Sequence, residues 1–487
     1  MLQEIFSFLI DAMFFLNFVF AIFVVFFERR NPAVIWSWLM LLTLIPGFGF
    51  IFYLVFGFEG RKHARFLAKN HNDQKLKEQY FREFENITEN LEDYIKTSHS
   101  DFYKSEPQYQ DIFYLNKVTG LSPLRCDNSV TIYSEGNSKF EAMLKDIKNA
   151  KEFIHLEYYI VRSDNLGRHI MQALAEKAKQ GVEVKLLYDG MGNIFNSRSF
   201  NKPLIDAGGS VGIFLSPYSI RLNYRNHRKL CIIDGKIGYV GGLNIGDEYL
   251  GRVKRFGFWR DSHIRFEGSA VHDLELRFIS DWNFTTKNKM VLDKRYFPEP
   301  ISVKNGVNMQ ILSSGPDCSL NSIQYGYFKM ITEASKSVCF QTPYFIPDDS
   351  LLEALKTTAL SGIDVKIIIP AKPDHPFVFD AGISYISELL DSGVKCYKYE
   401  KGFIHSKFIT IDDKITSIGT ANMDIRSLKL NFEVNAFIYD EMITKSFNES
   451  FKNDLKDCTE ITKEWYKSRG KFYKIKEAVA RLISPLL

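Results

Sequence analysis

The sequence has little sulfur chemistry and little surplus charge. Six cysteines (Cys126, Cys231, Cys318, Cys339, Cys396 and Cys458) are scattered over 487 residues without a C-x-x-C pair, and they read as reduced, packed thiols of a body facing the cytoplasm. No H-E-x-x-H, EF-hand loop or G-x-x-x-x-G-K-[ST] occurs, so the sequence makes no case for zinc, calcium or ATP, and no cofactor or metal is expected. "HLE" at His155 has the H-x-E of zinc deaminases, but no P-C-x-x-C follows, so His155 reads as a residue of a core strand. A net charge of +4 over this length gives little support to a nucleic-acid partner, and none is expected. With 45% apolar and 25% charged residues, disorder is excluded.

Charge is also missing locally. Ile5 to Phe27 is broken only by Ser7, Asp11 and Asn17, and Ala33 to Phe58 contains no charge at all. Each run exceeds the roughly 20 helical residues that cross a bilayer core. A cleaved signal peptide fits poorly, because Met1 to Phe6 carries Glu4, no Lys or Arg, and no small-residue cleavage site follows. The joint "ERRNP" makes the two runs a hairpin, with Pro46-Gly47 kinking the second helix. Arg29 and Arg30 in the joint are outnumbered by Arg61, Lys62, Arg65 and Lys69 beyond the exit, which puts both termini on the cytoplasmic side. From His63 to about Ser100 the chain is charged and low in β-branched residues, reading as a solvated helical linker.

What is present in duplicate organises the remainder. "NYRNHRKLCIIDGKIGYVGGLNIGDEY" (Asn223 to Tyr249) sets His227, Lys229 and Asp234 ahead of Gly241, Gly242 and Asn244, and "IHSKFITIDDKITSIGTANMD" repeats the order as His405, Lys407, Asp412, Gly419, Thr420 and Asn422. The alternation predicts a strand, on which His and Lys two apart share a side and the Asp begins a turn. The repeat extends outward. Ala173 to Gly190 aligns with Ala354 to Ala371, and Lys151 to Val161 aligns with Lys336 to Ile346, matching Tyr159 to Tyr344. A period this long indicates a duplicated domain rather than a solenoid. Short β-rich runs alternate with helical patterns in both copies, which predicts an α/β fold. The expected organisation is two transmembrane helices (1–60), a helical linker (61–125), two halves (126–300 and 301–460) and an amphipathic tail (461–487). In that tail Phe472, Ile475, Val479 and Leu482 recur at helical spacing among Lys471, Lys474, Lys476 and Arg481, suited equally to anionic lipid or to the protein body.

HxKxxxxD followed by G-G/T-x-N, present twice, resembles the signature of the phospholipase D superfamily. "LNYRNHRKL", "GGLNIGDEYLG", "FWRDSH", "SSGPD", "TPYFIPDDSLLEAL", "GTANMDIRSLKLNFEV" and "SPLL" resemble the bacterial cardiolipin synthases over essentially the whole chain. Little of that resemblance falls between Phe66 and Leu115. It implies two α/β halves sharing one active site, behind a membrane hairpin. It also implies reversible phosphatidyl transfer between two phosphatidylglycerol molecules at a bilayer with anionic lipid, in the bacterial cell membrane.

The residue types suit that chemistry. Attack on a phosphodiester needs a nucleophile, an acid for the departing alkoxide, and fixed donors for the phosphoryl oxygens. His227 is assigned as nucleophile and His405 as acid and later base; the near-identity of the motifs leaves the reverse assignment open. Lys229, Lys407, Asn244 and Asn422 would hold the phosphoryl oxygens. By resemblance, Asp261 in "WRDSH" orients His227 and Glu433 in "NFEV" orients His405; an ion pair between Asp261 and Arg260 is the plain alternative. Asp234 and Asp412 belong to the motif, but roughly 20 Å of extended strand separates each from its histidine, so both are expected to support the fold. Two rivals remain: a phospholipase that delivers the intermediate to water, and a non-catalytic lipid-binding scaffold. Nuclease action is disfavoured by the hairpin.

Overall fold

The structure is a computed structural model, and it describes residues 2–27, 32–45, 47–53, 62–87, 107–216, 223–301 and 303–484. The chain builds two copies of one α/β arrangement on a continuous 15-stranded sheet. In the first copy Phe153–Tyr158, Glu183–Asp189 and Ser210–Phe214 run parallel. Lys229–Ile233, Ile237–Gly241 and His263–Glu267 follow as antiparallel neighbours on the other side of Phe153–Tyr158. The second copy repeats this. Ser337–Gln341, Asp364–Pro370 and Lys395–Tyr399 are parallel, and Phe408–Ile411, Ile415–Gly419 and Glu433–Tyr439 are antiparallel.

The halves join through backbone. Arg125–Tyr133, beside His263–Glu267, pairs antiparallel with Val307–Ser314, beside Glu433–Tyr439, with an irregular register between Arg125 and Asn128. The parallel strands are buried along nearly continuous apolar runs and joined by amphipathic crossover helices such as Asn165–Lys179 and Asp349–Leu360, as parallel sheets require. One hydrophobic core belongs to each half, and a third runs beneath both, uniting Leu230, Ile232 and Phe278 with Phe408, Ile418 and Phe432. His155 lies in this interior, bonded to Glu275 at 2.8 Å and to Glu183 at 3.2 Å.

Within the N-terminal runs, Leu2–Phe27 and Pro32–Leu44 are helical, and the second run breaks before a short helix, Phe48–Phe52, with Gly47 at φ +88°. Val24, Trp38, Leu42 and Tyr53 pack together, while Phe14, Phe15, Phe18 and Phe26 are exposed. Parts of both runs lie outside the described residues, and among the described ones no helix is long and apolar enough to cross a membrane.

The solvated-linker reading is corrected over Lys62–Phe84. This 23-residue helix docks on Ala270–Thr285 and buries Phe66, Lys69, Tyr80 and Phe81. Its polar residues are partnered inside. Lys69 reaches Asp73 at 2.7 Å, Asp281 at 3.1 Å and Asp317 at 2.8 Å, and Arg277 reaches Asp73 at 2.7 Å. Burial works against a charged Lys69, yet the three carboxylates keep it protonated. Residues 88–106 of the expected linker lie outside the described residues. At the other end Lys471–Ile483 packs on Pro376–Asp391 through Ala480 and ion pairs of Lys476 with Asp380 and Arg481 with Glu388. Phe472, Ile475, Val479 and Leu482 remain exposed on its outer face. The helix thus meets the body with one side only.

Candidate active site

Each motif strand begins at its lysine, Lys229–Ile233 and Phe408–Ile411 following Lys407, and each is closed by a tight turn. Asp234 (φ +53°) and Gly235 (φ +64°) are the central residues of the first turn, closed by Lys236 N–H on Ile233 O, and Asp412 (φ +54°) and Asp413 (φ +57°) those of the second, closed by Lys414 N–H on Ile411 O, the left-handed pair of a mirror-image β-turn. The aspartate side chains act behind the strands. Asp234 accepts from the N–H groups of Lys151, Glu152 and Phe153. Asp412 accepts from those of Ser335, Lys336 and Ser337, and also from the hydroxyls of Ser335 and Tyr109. Both therefore anchor the start of a parallel strand.

The histidines sit where the copies face each other. His227 N–H donates to Phe432 O at 3.0 Å, and His405 N–H donates to Arg260 O at 2.7 Å. A short parallel pair of Phe258–Arg260 with Gly402–Ile404 and a bridge of Asn226 with Phe432 carry the same exchange. The side chains continue it. His227 Nδ1 lies 2.9 and 3.0 Å from the Glu433 oxygens, and His405 Nδ1 lies 2.9 Å from Asp261 Oδ2. This reverses the expected assignment. Each backbone crossing brings a histidine against the end of the other half's carboxylate strand, so Glu433 serves His227 and Asp261 serves His405. Arg260 pairs instead with Asp454, its Nε 3.0 Å from both oxygens.

A carboxylate only accepts, so Nδ1 of His227 carries a proton and its Nε2 keeps its lone pair; Nδ1 of His405 faces both Asp261 and, at 2.8 Å, Lys407 Nζ. Both rings line one cavity of about 660 Å³, together with Asn244 and Asn422 from the two glycine-containing turns. Gly242 is required there, because a Cβ at that position would fall 2.0 Å from Asp261 Oδ1. Tyr159 packs edge-on against His227 at 5.1 Å and Tyr344 against His405 at 6.4 Å, while Trp259 leans on His405 at 5.2 Å. Lys229 and Lys407 lie beneath the rings, each donating to the carbonyl of its own histidine at 2.6 Å.

Burial sets the electrostatics. It pushes both imidazoles down to about 4; the adjoining Lys229 adds to this at His227 and Lys407 at His405, against the pull of the carboxylates. Burial likewise lowers Lys407 to about 8 and Lys229 well below its ordinary value. Asp261 and Glu433 stay below the usual carboxylate range: burial opposes this, and the adjoining lysine and histidine overcome it. The site thus combines two neutral imidazoles, two carboxylates and two lysines whose charged form burial disfavours. A bound phosphodiester would raise the lysines and the far histidine, completing a nucleophile and an acid.

Other residues here escaped the sequence reading. Arg225, Arg426 and Asn431 also line the cavity. Arg228 donates to Glu433 O at 3.1 Å and pairs with Asp281, linking the His227 carboxylate to the buried Lys69 cluster. Arg225, Arg228 and Arg426 all stand inside the repeated motif segments of the sequence. Nearness to the histidines was the available signal.

Fold and site together define a two-half phospholipase D-like enzyme with a candidate active site at the seam. The family described as "Cardiolipin synthase, PLD-like domain" matches residues 143–282 and 327–455, and "Phospholipase_D-nuclease N-terminal" matches 15–57. The chain is 46% identical to the major cardiolipin synthase ClsA of Bacillus subtilis, over 100% of both chains. It is 45% identical to a cardiolipin synthase of Listeria monocytogenes, over 99% of each. Among solved structures, phosphatidylserine synthase of Haemophilus influenzae superposes with a TM-score of 0.60 at 15% identity, covering 79% of this chain and 100% of that one, a likeness of fold. The chain belongs to the bacterial cardiolipin synthase family of the phospholipase D superfamily.

Proposed function

We propose that the protein moves the phosphatidyl group of one phosphatidylglycerol onto the terminal hydroxyl of another, giving cardiolipin and glycerol. His227 Nε2 attacks phosphorus, the bond to the head-group glycerol breaks, and His405 gives that oxygen its proton. The hydroxyl of the second lipid then passes its proton to His405 and attacks phosphorus, and the P–N bond breaks. Lys229, Lys407, Asn244 and Asn422 hold the phosphoryl oxygens in both steps. Phosphodiester is exchanged for phosphodiester, so no nucleotide is needed. The observation that carries this reading is the crossed pair of imidazole–carboxylate couples, His227–Glu433 and His405–Asp261, at one cavity.

The same reading puts residues 1–60 in the bilayer as a hairpin, with the halves 126–300 and 301–460 on its cytoplasmic side. The exposed phenylalanines of Leu2–Phe27 and the apolar outer face of Lys471–Ile483 support attachment to anionic lipid. The test is lipid analysis after expression in a cardiolipin-deficient bacterium. Cardiolipin should accumulate with the native chain, and His227→Ala and His405→Ala should each lower its formation by at least about 10⁴-fold, because nucleophile and acid act as one unit. Half activity in either variant would mean two separate sites. Phosphatidic acid as the main product would favour the hydrolase.

A further inference from the structure

Behind the two imidazole–carboxylate couples the halves repeat a deeper arrangement. The last strand of each copy, His263–Glu267 and Glu433–Tyr439, leads into a helix, Ala270–Thr285 and Glu441–Leu455, whose "FISDW" and "FKNDL" set Asp281 and Asp454 at matching positions. Each aspartate takes a guanidinium, and each guanidinium reaches on to the peptide carbonyl of an orienting carboxylate. Arg228 joins Asp281 to Glu433 O, the latter at 3.1 Å. Arg260 joins Asp454 to Asp261 O. One such anchor stands behind Glu433, which serves His227, and one behind Asp261, which serves His405.

The third member of each anchor differs. Strand pairing sets Glu157 opposite Leu230 and Gln341 opposite Phe408, and Leu230 and Phe408 each lie three residues after their histidine. The ladders thus equate Glu157 with Gln341, and both are fully buried. Gln341 gives its amide nitrogen to Asp454 Oδ2 at 2.8 Å, a neutral donor to a carboxylate. Glu157 stands within hydrogen-bonding reach of Asp281, where an ionised carboxylate would meet another of the same charge. Its Oε1 accepts from Asn226 Nδ2 at 2.5 Å, and its Oε2 has no hydrogen-bond donor among the described residues.

The ions bound around Asp281 are already matched, since Arg228, Arg277 and Lys69 share it with Asp73 and Asp317. His155, on the same face of the strand as Glu157, is taken by Glu275 and Glu183. Burial first, and the charge of Asp281 next, raise Glu157 well above the usual carboxylate range against the pull of Arg228. Asp281, although burial opposes it, is held below that range by Arg228, Arg277 and Lys69. Asn226 links Glu157 to the histidine. Its Oδ1 accepts from Arg228 N–H at 3.2 Å, and its own N–H donates to Asp189 Oδ2 at 2.9 Å. Both chain neighbours of His227 are therefore fastened, through their side chains, to the pair Glu157 and Asp281.

We infer that Glu157 works as a protonated acid, the counterpart of Gln341, and that with Asn226, Arg228 and Asp281 it is a positioning residue for the His227–Glu433 couple. This role rests on the function proposed above and adds residues that act through His227 without touching substrate. A neutral acid donates to Asp281 from Oε2 and accepts from Asn226 at Oε1, which satisfies all three side chains without a further buried charge. Fixing the chain on both sides of His227 keeps its Nε2 aimed at phosphorus.

The infrared difference spectrum of the full chain in detergent at neutral pH, native minus Glu157→Gln, should show the carbonyl band of a protonated carboxylic acid. Carboxylate bands in its place would overturn the inference. In phosphatidylglycerol vesicles Glu157→Leu should lower kcat for cardiolipin formation about ten- to a hundred-fold with little change in KM. Glu157→Gln keeps both the acceptor and the donor and should recover most of that loss. The ¹⁵N signals of the His227 ring should move in Glu157→Leu and return in Glu157→Gln, with those of His405 unmoved in both. A loss in Glu157→Gln equal to that in Glu157→Leu would overturn the inference, as would a lowered melting temperature in Glu157→Leu with kcat per folded molecule intact. Should Glu157→Leu fail to fold, the infrared band and the turnover of Glu157→Gln still decide between the outcomes. Absence of cardiolipin formation by the native chain would instead defeat the underlying function and leave the infrared result standing.

Discussion

The two halves carry the same strands, the same His-Lys-Asp order and the same tight turn, yet neither contains a complete histidine couple. Each lends its carboxylate to the other. They differ in what surrounds that shared centre. The first half is backed by the docked helix Lys62–Phe84 and its buried charges, and the second by Lys471–Ile483 lying on Pro376–Asp391. Duplication preserved the paired histidines and lysines and left their surroundings free to diverge.

The largest way to break this comparison is at the carboxylates. Glu433→Gln and Asp261→Asn should each lower turnover about 10²- to 10⁴-fold, the range for removing the group that orients a catalytic histidine. The crossing itself is read from ¹⁵N spectra of the imidazoles. Glu433→Gln should move the Nδ1 signal of His227 and leave that of His405, with Asp261→Asn doing the converse. A shift in the histidine of the same half would restore the uncrossed arrangement.

Next comes the asymmetry in buried charge. Lys69→Met removes the buried cation that Asp317 pairs with, and should cost about 3–5 kcal/mol of stability, measured by thermal unfolding in detergent. A cost under about 1 kcal/mol, the level of a surface pair, would return the Lys62–Phe84 helix to a solvated linker. Acid should then treat the halves alike. His227 and His405 bind protons near 6.5 when unfolded but only near 4 when folded, so the unfolded chain takes up protons first. Stability contributed by their burial is full above about pH 6.5 and is lost as pH falls toward 4. The decline in melting temperature across that window should be shallower in His227→Gln and His405→Gln, by similar amounts. An unaltered slope would mean that other groups control it.

The smallest contrast lies in the motif aspartates. Among the described residues, Asp412 has two hydroxyl partners that Asp234 lacks. Asp412→Asn should therefore destabilise more than Asp234→Asn, by about 1 kcal/mol per additional hydrogen bond, with turnover per folded molecule retained in both. Equal losses would make the extra contacts incidental.

These contrasts mark what the sequence could and could not disclose. A repeated His-x-Lys, an Asp-Gly turn and apolar strand runs are local, and local periodicity made the duplicated α/β fold and its paired motifs legible. The partners of the histidines depend on a crossing between residues about 144 to 206 apart, for which spacing along the chain holds no signal. Lys69 and Asp73 looked like a solvated helix face because composition cannot tell a lysine paired with water from one paired with a buried aspartate. Arg225 and Arg426 stood in plain view, but they line one cavity only once the two halves have folded against each other.

The seam of the sheet sets the rhythm of the reaction. Arg125–Tyr133 and Val307–Ser314 are neighbours in one backbone ladder, which ties the two halves together at the seam. Admission and departure fall to the rim of the cavity, where Phe195 is 90% exposed and Phe256, His375 and Val378 stand beside it. Crowding at that rim is therefore where the passage of lipid and glycerol would be throttled.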